Sequence, residues 1–264
     1  FVERYCTIID NGWGKEIGMG TPEQQEELKR LLAPIMLRRT KKEVLAELPD
    51  KIHQRFLVEL TGKQAKIYKS MERDAIATLS NGETVAAPVV IAQITRLRQI
   101  AVSTQLLSDE VAESAKFEAL MELIQDNIAG HKIVVFSQFR KAIELFSKRL
   151  DEAGIKWVAV TGAVKQEDRH QATKDFQEKD DVRVMLATIE AAAHGLTWTA
   201  ADIAVFLDRH WTPAINAQAE DRLHRMGQKN SVTIVNMVAR GTVEEYIEKL
   251  LEAKGEGFDA IVNG

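Results

Sequence analysis

Short apolar runs alternate with segments of helical periodicity through the second half of the chain. The runs lie at residues 133–136, 157–160, 182–187, 203–207 and 232–238. Continuous apolar runs of this length are typical of strands that are buried on both faces, and their alternation with helices indicates parallel pairing. The pattern therefore predicts an α/β fold, in which a parallel sheet carries helices on both faces.

The first half of the chain has a different pattern. Apolar residues at even spacing predict a strand at 52–60, and residues 61–112 have helical periodicity almost throughout. The residues before Gly20 show neither period, and Thr21 with the proline that follows it predicts the start of a helix. Ser114 begins the next helix, so we expect a helical appendage to end near that residue and the α/β region to follow.

Composition narrows the class of protein. With 264 residues, of which 45% are hydrophobic, the chain can bury a substantial core. A net charge of −4 argues against a protein that coats nucleic acid by bulk charge, so any DNA contact must be local. The single cysteine, Cys6, excludes an internal disulfide. Neither a signal peptide nor a membrane-spanning stretch is predicted, and we expect a soluble intracellular protein.

Polar side chains at helical spacing form the main candidate for a site. A threonine and a proline at 212–213 predict a helix that continues to Gly227. Arg222 and Arg225 follow Gln218 by four and seven positions, which places the amide and both guanidinium groups on one face of such a helix. Guanidinium groups are permanent cations that match phosphate oxygens, so this face suits a site where γ-phosphate charge is redistributed.

The same two arginines have a simpler interpretation. They could pair with Glu220, Asp221 or Glu244 on a solvated surface, and the spacing by itself favours that interpretation. The neighbouring sequence is what favours a phosphate site.

Several sequence blocks surround this segment in a fixed order. They are IMLRRTKKEVLAELPDK, LRQI, KIVVFSQF, VTGAVKQEDR, VMLATIEAAAHGLTWTAAD, FLDRHWTP, QAEDRLHRMGQ and GTVEEYI. This order resembles the C-terminal RecA-like lobe of Swi/Snf-type superfamily 2 helicase-like ATPases, and the resemblance extends from Leu28 to Leu251. The segments GLTWTAAD and WTP resemble those of the annealing-helicase, HARP-like branch of this family.

The resemblance implies a division into domains. Residues 1–50 correspond to a remnant of a first lobe and the crossing between lobes, 51–113 to a helical protrusion, 114–255 to the RecA-like lobe and 256–264 to a tail. The implied cofactor is ATP with Mg, bound mainly by a first lobe. The chain itself has no G-x-x-x-x-G-K-[ST] loop and no D-E-A-H-like carboxylate pair. We therefore expect the full-length protein to be a DNA-dependent ATPase and this chain to be inactive alone.

The resemblance also assigns residues to the site. Gln218, Arg222 and Arg225 correspond to the catalytic and ATP-binding residues, with the arginines as arginine fingers, and the turn at Gly195 offers backbone N–H groups to phosphate. The residues expected to contact DNA are Ser137, Gln138, Thr161, Gly162, Arg169, Thr188 and Trp211. Several of them follow predicted strands, where parallel sheets present ligands. No metal site is assigned, because the six histidines lack the spacing of metal ligands.

Structural roles stay open for many of these residues. Ser137 and Gln138 could form an ordinary strand-to-helix turn, Arg169 could be a surface arginine, and Trp211 could be a core aromatic. A basic cluster at 38–42 could bind DNA phosphate, couple the lobes or end a solvated helix.

The sequence thus predicts the second motor lobe of an ATP-dependent double-stranded DNA translocase or remodelling protein. Its partners are double-stranded DNA and a first RecA-like lobe; we expect a monomer without membrane association, in the cytoplasm, nucleoid or nucleus. A stand-alone, non-catalytic DNA-binding or partner-docking module is the alternative. An RNA helicase lobe is disfavoured, because such lobes typically carry H-R-x-G-R where residues 224–228 read HRMGQ.

Overall fold

Helices and strands alternate along most of the chain. The structure is a computed structural model and describes residues 2–10, 15–32, 34, 47–80, 87–192 and 195–262. Its elements are α1 (Val2–Tyr5), β1 (Cys6–Asp10), β2 (Lys15–Met19), α2 (Pro22–Leu32), β3 (Lys51–Val58), α3 (Gly62–Ser80), α4 (Ala87–Val102), α5 (Ala115–Asn127), β4 (Ile133–Ser137), α6 (Arg140–Glu152), β5 (Trp157–Val160), α7 (Gln166–Glu178), β6 (Val184–Thr188), α8 (Ile189–Ala192), β7 (Ile203–Phe206), α9 (Pro213–Glu220), β8 (Val232–Ala239) and α10 (Val243–Val262). None of the described helices is long and apolar enough to span a bilayer.

The smaller of two compact units comprises Phe1–Ala46 and Glu248–Gly264. In it β1 and β2 form an antiparallel hairpin, with Cys6 opposite Met19. This hairpin was not predicted, because its two strands of five residues are too short to establish a period. The predicted start of α2 is confirmed, since the Thr21 hydroxyl accepts a hydrogen bond from the backbone N–H of Gln24 at 3.4 Å.

The larger unit, Glu47–Ile247, contains a six-stranded sheet among its described residues. The strand order is β3-β8-β7-β4-β6-β5, and every neighbouring pair is parallel. The predicted α/β fold with a parallel sheet is confirmed. Parallel pairing brings the carboxyl ends of the strands to one edge, where Ser137 lies opposite Thr188 and Val160 opposite Ala187.

The two faces of this sheet are covered by separate apolar clusters. On one face, Val135 and Leu186 pack with Phe117 and Phe146 from helices α5 and α6. On the other face, the alternate residues pack with Trp198, which is fully buried. Side chains that follow one another along a strand point to opposite faces, so strands apolar at every position can serve both clusters.

Strand β3 lies at one end of the strand order, within the range 51–113 that the resemblance assigned to a helical protrusion. Its residues pair in parallel with β8, Lys51 opposite Val232. The predicted protrusion at 51–113 included this strand, whereas the hydrogen-bonded pairing makes it part of the sheet. The helices that follow it, α3 and α4, pack through Tyr68 and Ile100. The domain boundaries stay predictions.

Candidate functional site

Loops that follow the carboxyl ends of the parallel strands carry most of the candidate residues. Thr188 is the last residue of β6, Ser137 ends β4, and Thr161 comes directly after β5. A parallel sheet leaves its ligand-binding crevice beyond these ends. We call this side of the sheet the carboxyl edge.

The predicted single helix through Gln218, Arg222 and Arg225 is wrong. Helix α9 ends at Glu220, so Gln218 lies in its last turn while both arginines belong to the turns that follow. Beyond Glu220 the backbone N–H of Arg222 bonds the Ala219 carbonyl in a tighter turn, and the Arg222 carbonyl accepts from the backbone N–H of Trp198 at 2.8 Å. A tertiary hydrogen bond therefore replaces the continuation that the periodicity predicted.

The structure nevertheless brings both arginines together, at a loop near Gly195. An Nη of Arg222 donates to the Leu196 carbonyl at 3.4 Å, and an Nη of Arg225 donates to the Thr197 hydroxyl at 3.2 Å. Gly195 has φ of +69°, a left-handed conformation that favours glycine. Three of the four residues predicted to bind nucleotide, Arg222, Arg225 and Gly195, thus lie near one loop, and the fourth, Gln218, is exposed on the neighbouring helix.

The two guanidinium groups influence each other electrostatically. Partial burial lowers the pKa of Arg222, and the positive charge of Arg225 lowers it further, whereas Asp221 raises it. Arginine remains charged despite such shifts. Two neighbouring cations repel, and this repulsion would be relieved by a bound anion.

Two of the carboxylates that could have neutralised the arginines have other cationic partners. Glu220 pairs with the Lys51 ammonium at 3.1 Å, and Glu244 pairs with Lys116 at 2.7 Å. The simple interpretation as an ion pair with Glu220 or Glu244 therefore loses support.

The turn after β4 is organised by Asp208, a buried residue that the sequence analysis did not single out. Ser137 is fully buried and its hydroxyl donates to one carboxylate oxygen, while the backbone N–H of Gln138 donates to the other at 3.0 Å. In this geometry the Ser137 hydroxyl faces Asp208, and its contact with DNA stays a prediction. Gln138 is partly exposed at the same turn.

The loop after β5 is closed by Arg169. Its Nε donates to the Val164 carbonyl at 2.7 Å and an Nη donates to the Gly162 carbonyl at 3.1 Å. Thr161 and Thr188 are mostly buried, whereas Gly162 is exposed. Arg169 thus shapes the loop, and phosphate contacts of all these residues stay predictions. The basic cluster at 38–42 lies outside the described residues.

Trp211 is only partly buried, so it is not an interior core residue. One face of its ring is covered by the guanidinium of Arg98, whose central carbon lies 4.7 Å from the ring centroid. Arg98 comes from α4 and also donates to the carbonyl of Arg209. Burial lowers the pKa of Arg98, while Asp208 and then Glu244 raise it.

Asp208 and Arg98 were not among the predicted site residues, although the sequence contains a weak signal for each. Asp208 is a carboxylate directly after the buried run that forms β7. Arg98 occupies a position in a stripe that otherwise consists of apolar residues, between Ile94, Leu97 and Ala101. A charge in such a stripe indicates a specific buried partner, although the identity of the partner cannot be read from the pattern.

Comparison with known proteins assigns the class. Residues 115–227 match the helicase conserved C-terminal domain, and residues 6–106 match the SNF2-related domain. The human DNA annealing helicase and endonuclease ZRANB3 is 30% identical over 100% of this chain and 24% of its own length. An uncharacterised ATP-dependent helicase of Mycoplasma pneumoniae is 31% identical over 87% of this chain and 22% of its length.

A solved structure agrees with these relatives. The Sulfolobus solfataricus SWI2/SNF2 ATPase core in complex with dsDNA is 28% identical, with a TM-score of 0.69 over 90% of this chain and 52% of that chain. Fold and sequence blocks together define a RecA-like helicase C-terminal lobe. The chain belongs to the Swi/Snf-type superfamily 2 helicase-like proteins and is similar to their annealing-helicase branch. It spans about a quarter of the length of the two relatives.

Proposed function

We propose that this chain is the second motor lobe of an ATP-dependent translocase or remodelling protein that acts on double-stranded DNA. In this proposal Arg222 and Arg225 act as arginine fingers, Gln218 and Gly195 complete their side of the nucleotide site, and the carboxyl edge contacts the DNA backbone. The relatives support DNA and ATP as ligands, because they include a DNA annealing helicase and a DNA-bound ATPase core.

The observation that carries the proposal is the meeting of Arg222 and Arg225 at the loop that follows β6. An Nη of Arg222 lies 3.4 Å from the Leu196 carbonyl, and an Nη of Arg225 lies 3.2 Å from the Thr197 hydroxyl. Arg225 is exposed and Arg222 is partly so. Guanidinium groups placed in this way can turn toward a triphosphate without breaking the core.

Hydrolysis of ATP with Mg would supply the free energy. A first lobe would make most of the contacts with this ligand. The residues present fit the phosphate end of such a ligand, since two permanent cations lie beside a glycine with positive φ. Closure of this lobe onto the first would bring the cations to the developing charge and shift the DNA contacts.

The residues that we propose to contact DNA lie at the carboxyl edge. Gln138, Gly162 and Trp211 keep exposed or partly exposed surface at the carboxyl edge. Main-chain and aromatic groups can bind the backbone and bases of nucleic acid without sequence preference. We infer that the whole protein is a monomer that works inside the cell where DNA is present.

The test compares ATP hydrolysis by the whole protein with that by its Arg225→Ala variant, each with duplex DNA, single-stranded DNA and RNA. Loss of an arginine finger typically slows turnover by about a thousandfold or more. We expect that loss with duplex DNA, with ATP binding changed only a few-fold.

Arg183→Ala is the matched control, because Arg183 precedes β6 at the opposite edge of the sheet. This variant should hydrolyse ATP at the parental rate. Retained turnover in Arg225→Ala would sink the finger assignment. DNA binding without any turnover in the parent would favour the non-catalytic module, and stimulation by RNA alone would favour an RNA helicase.

A further inference from the structure

Arg98 is an arginine buried almost completely, with contacts that converge on the carboxyl edge. Its exposed fraction is 2%, although it lies on α4, outside the strands and loops that carry the predicted site. Its guanidinium donates to the Arg209 carbonyl and lies 4.0 Å from a carboxylate oxygen of Asp208. The rings of Trp211 and Phe139 flank it, with centroids 4.7 Å and 5.9 Å away.

Stability alone is a poor reason for an arginine at this place. Burying a charged group costs several kcal/mol of hydration, and well-packed apolar residues often stabilise a protein equally well. What only arginine provides is a planar cation that stacks on an aromatic ring and donates hydrogen bonds at its edge at the same time. Arg98 uses both properties toward one short segment, residues 208–211.

That segment connects β7 to α9 at the carboxyl edge. Asp208 holds the Ser137–Gln138 turn through its carboxylate, and Trp211 follows three residues later. Arg98 therefore contacts the ring, the carbonyl and the carboxylate of a single connection. A buried cation that covers one face of a ring fixes the orientation of the ring. The other face and the edge of the ring then point in a constant direction.

We propose that Arg98 is a positioning residue that fixes the orientation of the Trp211 ring for contact with duplex DNA. The inference rests on the proposed function only in taking DNA as the ligand. Arg98 acts through Trp211 and does not itself touch DNA.

A double-mutant cycle in the whole protein tests this role. The variants are Arg98→Lys, Trp211→Ala and both together, and the measured quantity is the affinity for a fluorescently labelled DNA duplex without ATP. Lysine keeps the positive charge near Asp208 but cannot stack as a plane. We expect Arg98→Lys and Trp211→Ala each to weaken binding about tenfold, near the lower end of the effect of losing an aromatic contact with single-stranded nucleic acid.

The double variant should bind no more weakly than either single variant, because the two residues act as one unit. Arg149→Lys is the matched control, since the Arg149 guanidinium also lies over a ring, 5.5 Å from the centroid of Phe117, away from the edge. It should bind DNA with parental affinity. If the substitutions weakened binding only by unfolding the protein, their losses would multiply in the double variant. Non-additive losses therefore distinguish a positioning role from unfolding.

The outcomes separate this inference from the proposed function. Parental affinity in Arg98→Lys, or losses that multiply in the double variant, would overturn the role of Arg98 while leaving DNA-stimulated hydrolysis intact. Non-additive losses in a protein that binds DNA but does not hydrolyse ATP would support the positioning role of Arg98 and would overturn the proposed motor function. A parent that does not bind duplex DNA would overturn both.

Discussion

Two groups of charged residues in the larger unit differ in how their charges are satisfied. Lys116 is fully buried, and its ammonium donates to Glu244, to the Leu207 carbonyl and to the Met237 carbonyl. Glu244 also accepts from the Ala239 N–H at 2.8 Å. Arg225, in contrast, is exposed and donates to the Thr197 hydroxyl at the carboxyl edge.

The difference shows what each group does. The ammonium of Lys116 joins the ends of β7 and β8, so its charge is used to hold the strands together. Burial raises the pKa of Glu244, and Lys116 opposes this shift. The guanidinium of Arg225 at the edge is exposed, and it is accessible to a ligand that brings negative charge. Buried ion pairs thus stabilise the strand ends, whereas exposed cations can bind a ligand.

The largest expected effect is on the buried pair. Lys116→Met leaves the Glu244 carboxylate without its ammonium, and breaking such a pair typically costs about 3–5 kcal/mol of unfolding free energy. Urea denaturation of the chain measures the loss. The double variant Lys116→Met/Glu244→Leu should recover most of it, because no buried charge is then left alone.

Lys148→Met serves as its control, since Lys148 is exposed. It should unfold like the parent. Equal instability of the single and the double variant would show that packing, and not charge pairing, sets the cost.

An intermediate effect is expected at Asp208, which lies between the two groups. Asp208→Asn keeps the shape but weakens acceptance from the Ser137 hydroxyl and the Gln138 N–H and removes the charge near Arg98. Disturbing buried hydrogen bonds to a charged group costs about 1–3 kcal/mol. The same urea titration reports it, with exposed Asp180→Asn as the control. A parental midpoint in Asp208→Asn would mean that the turn does not depend on the carboxylate.

The smallest effect on stability should come from Arg225→Ala. Its side chain is exposed, and surface substitutions usually change the unfolding free energy by less than about 0.5 kcal/mol. The variant should therefore unfold with the parental midpoint although it is expected to abolish turnover in the whole protein. A destabilisation as large as that of Lys116→Met would place Arg225 with the structural charges and contradict the comparison.

The strands of the sheet were largely predictable because each one is a local apolar run. Strands β4, β5, β7 and β8 formed within a residue or two of the predicted ranges, and β6 began slightly later. The N-cap of α5 was equally local, since the Ser114 hydroxyl accepts from the Phe117 N–H at 3.0 Å. Hydrophobic pattern and capping act over a few residues, which is why they can be read from the chain.

For the arginine group the predicted helix was wrong, while the predicted phosphate-binding role stays a prediction. Periodicity placed Arg222 on a continuing helix, but the Trp198 N–H captured its carbonyl. That bond joins residues from separate parts of the chain, and helix propensity carries no information about it. Tertiary contacts override weak local preferences in this way at element ends.

By itself, the sequence determined the class of fold and the family, and it predicted which residues would bind phosphate. These depend on the order of residue types along the chain. The tertiary structure decided where those residues meet and which charges are already used. Arg98 finds its partner at Arg209 and Lys116 finds Glu244 only when distant segments come together. The physical reason is that a buried charge is stable only with a partner of suitable geometry, and that partner is set by packing in three dimensions.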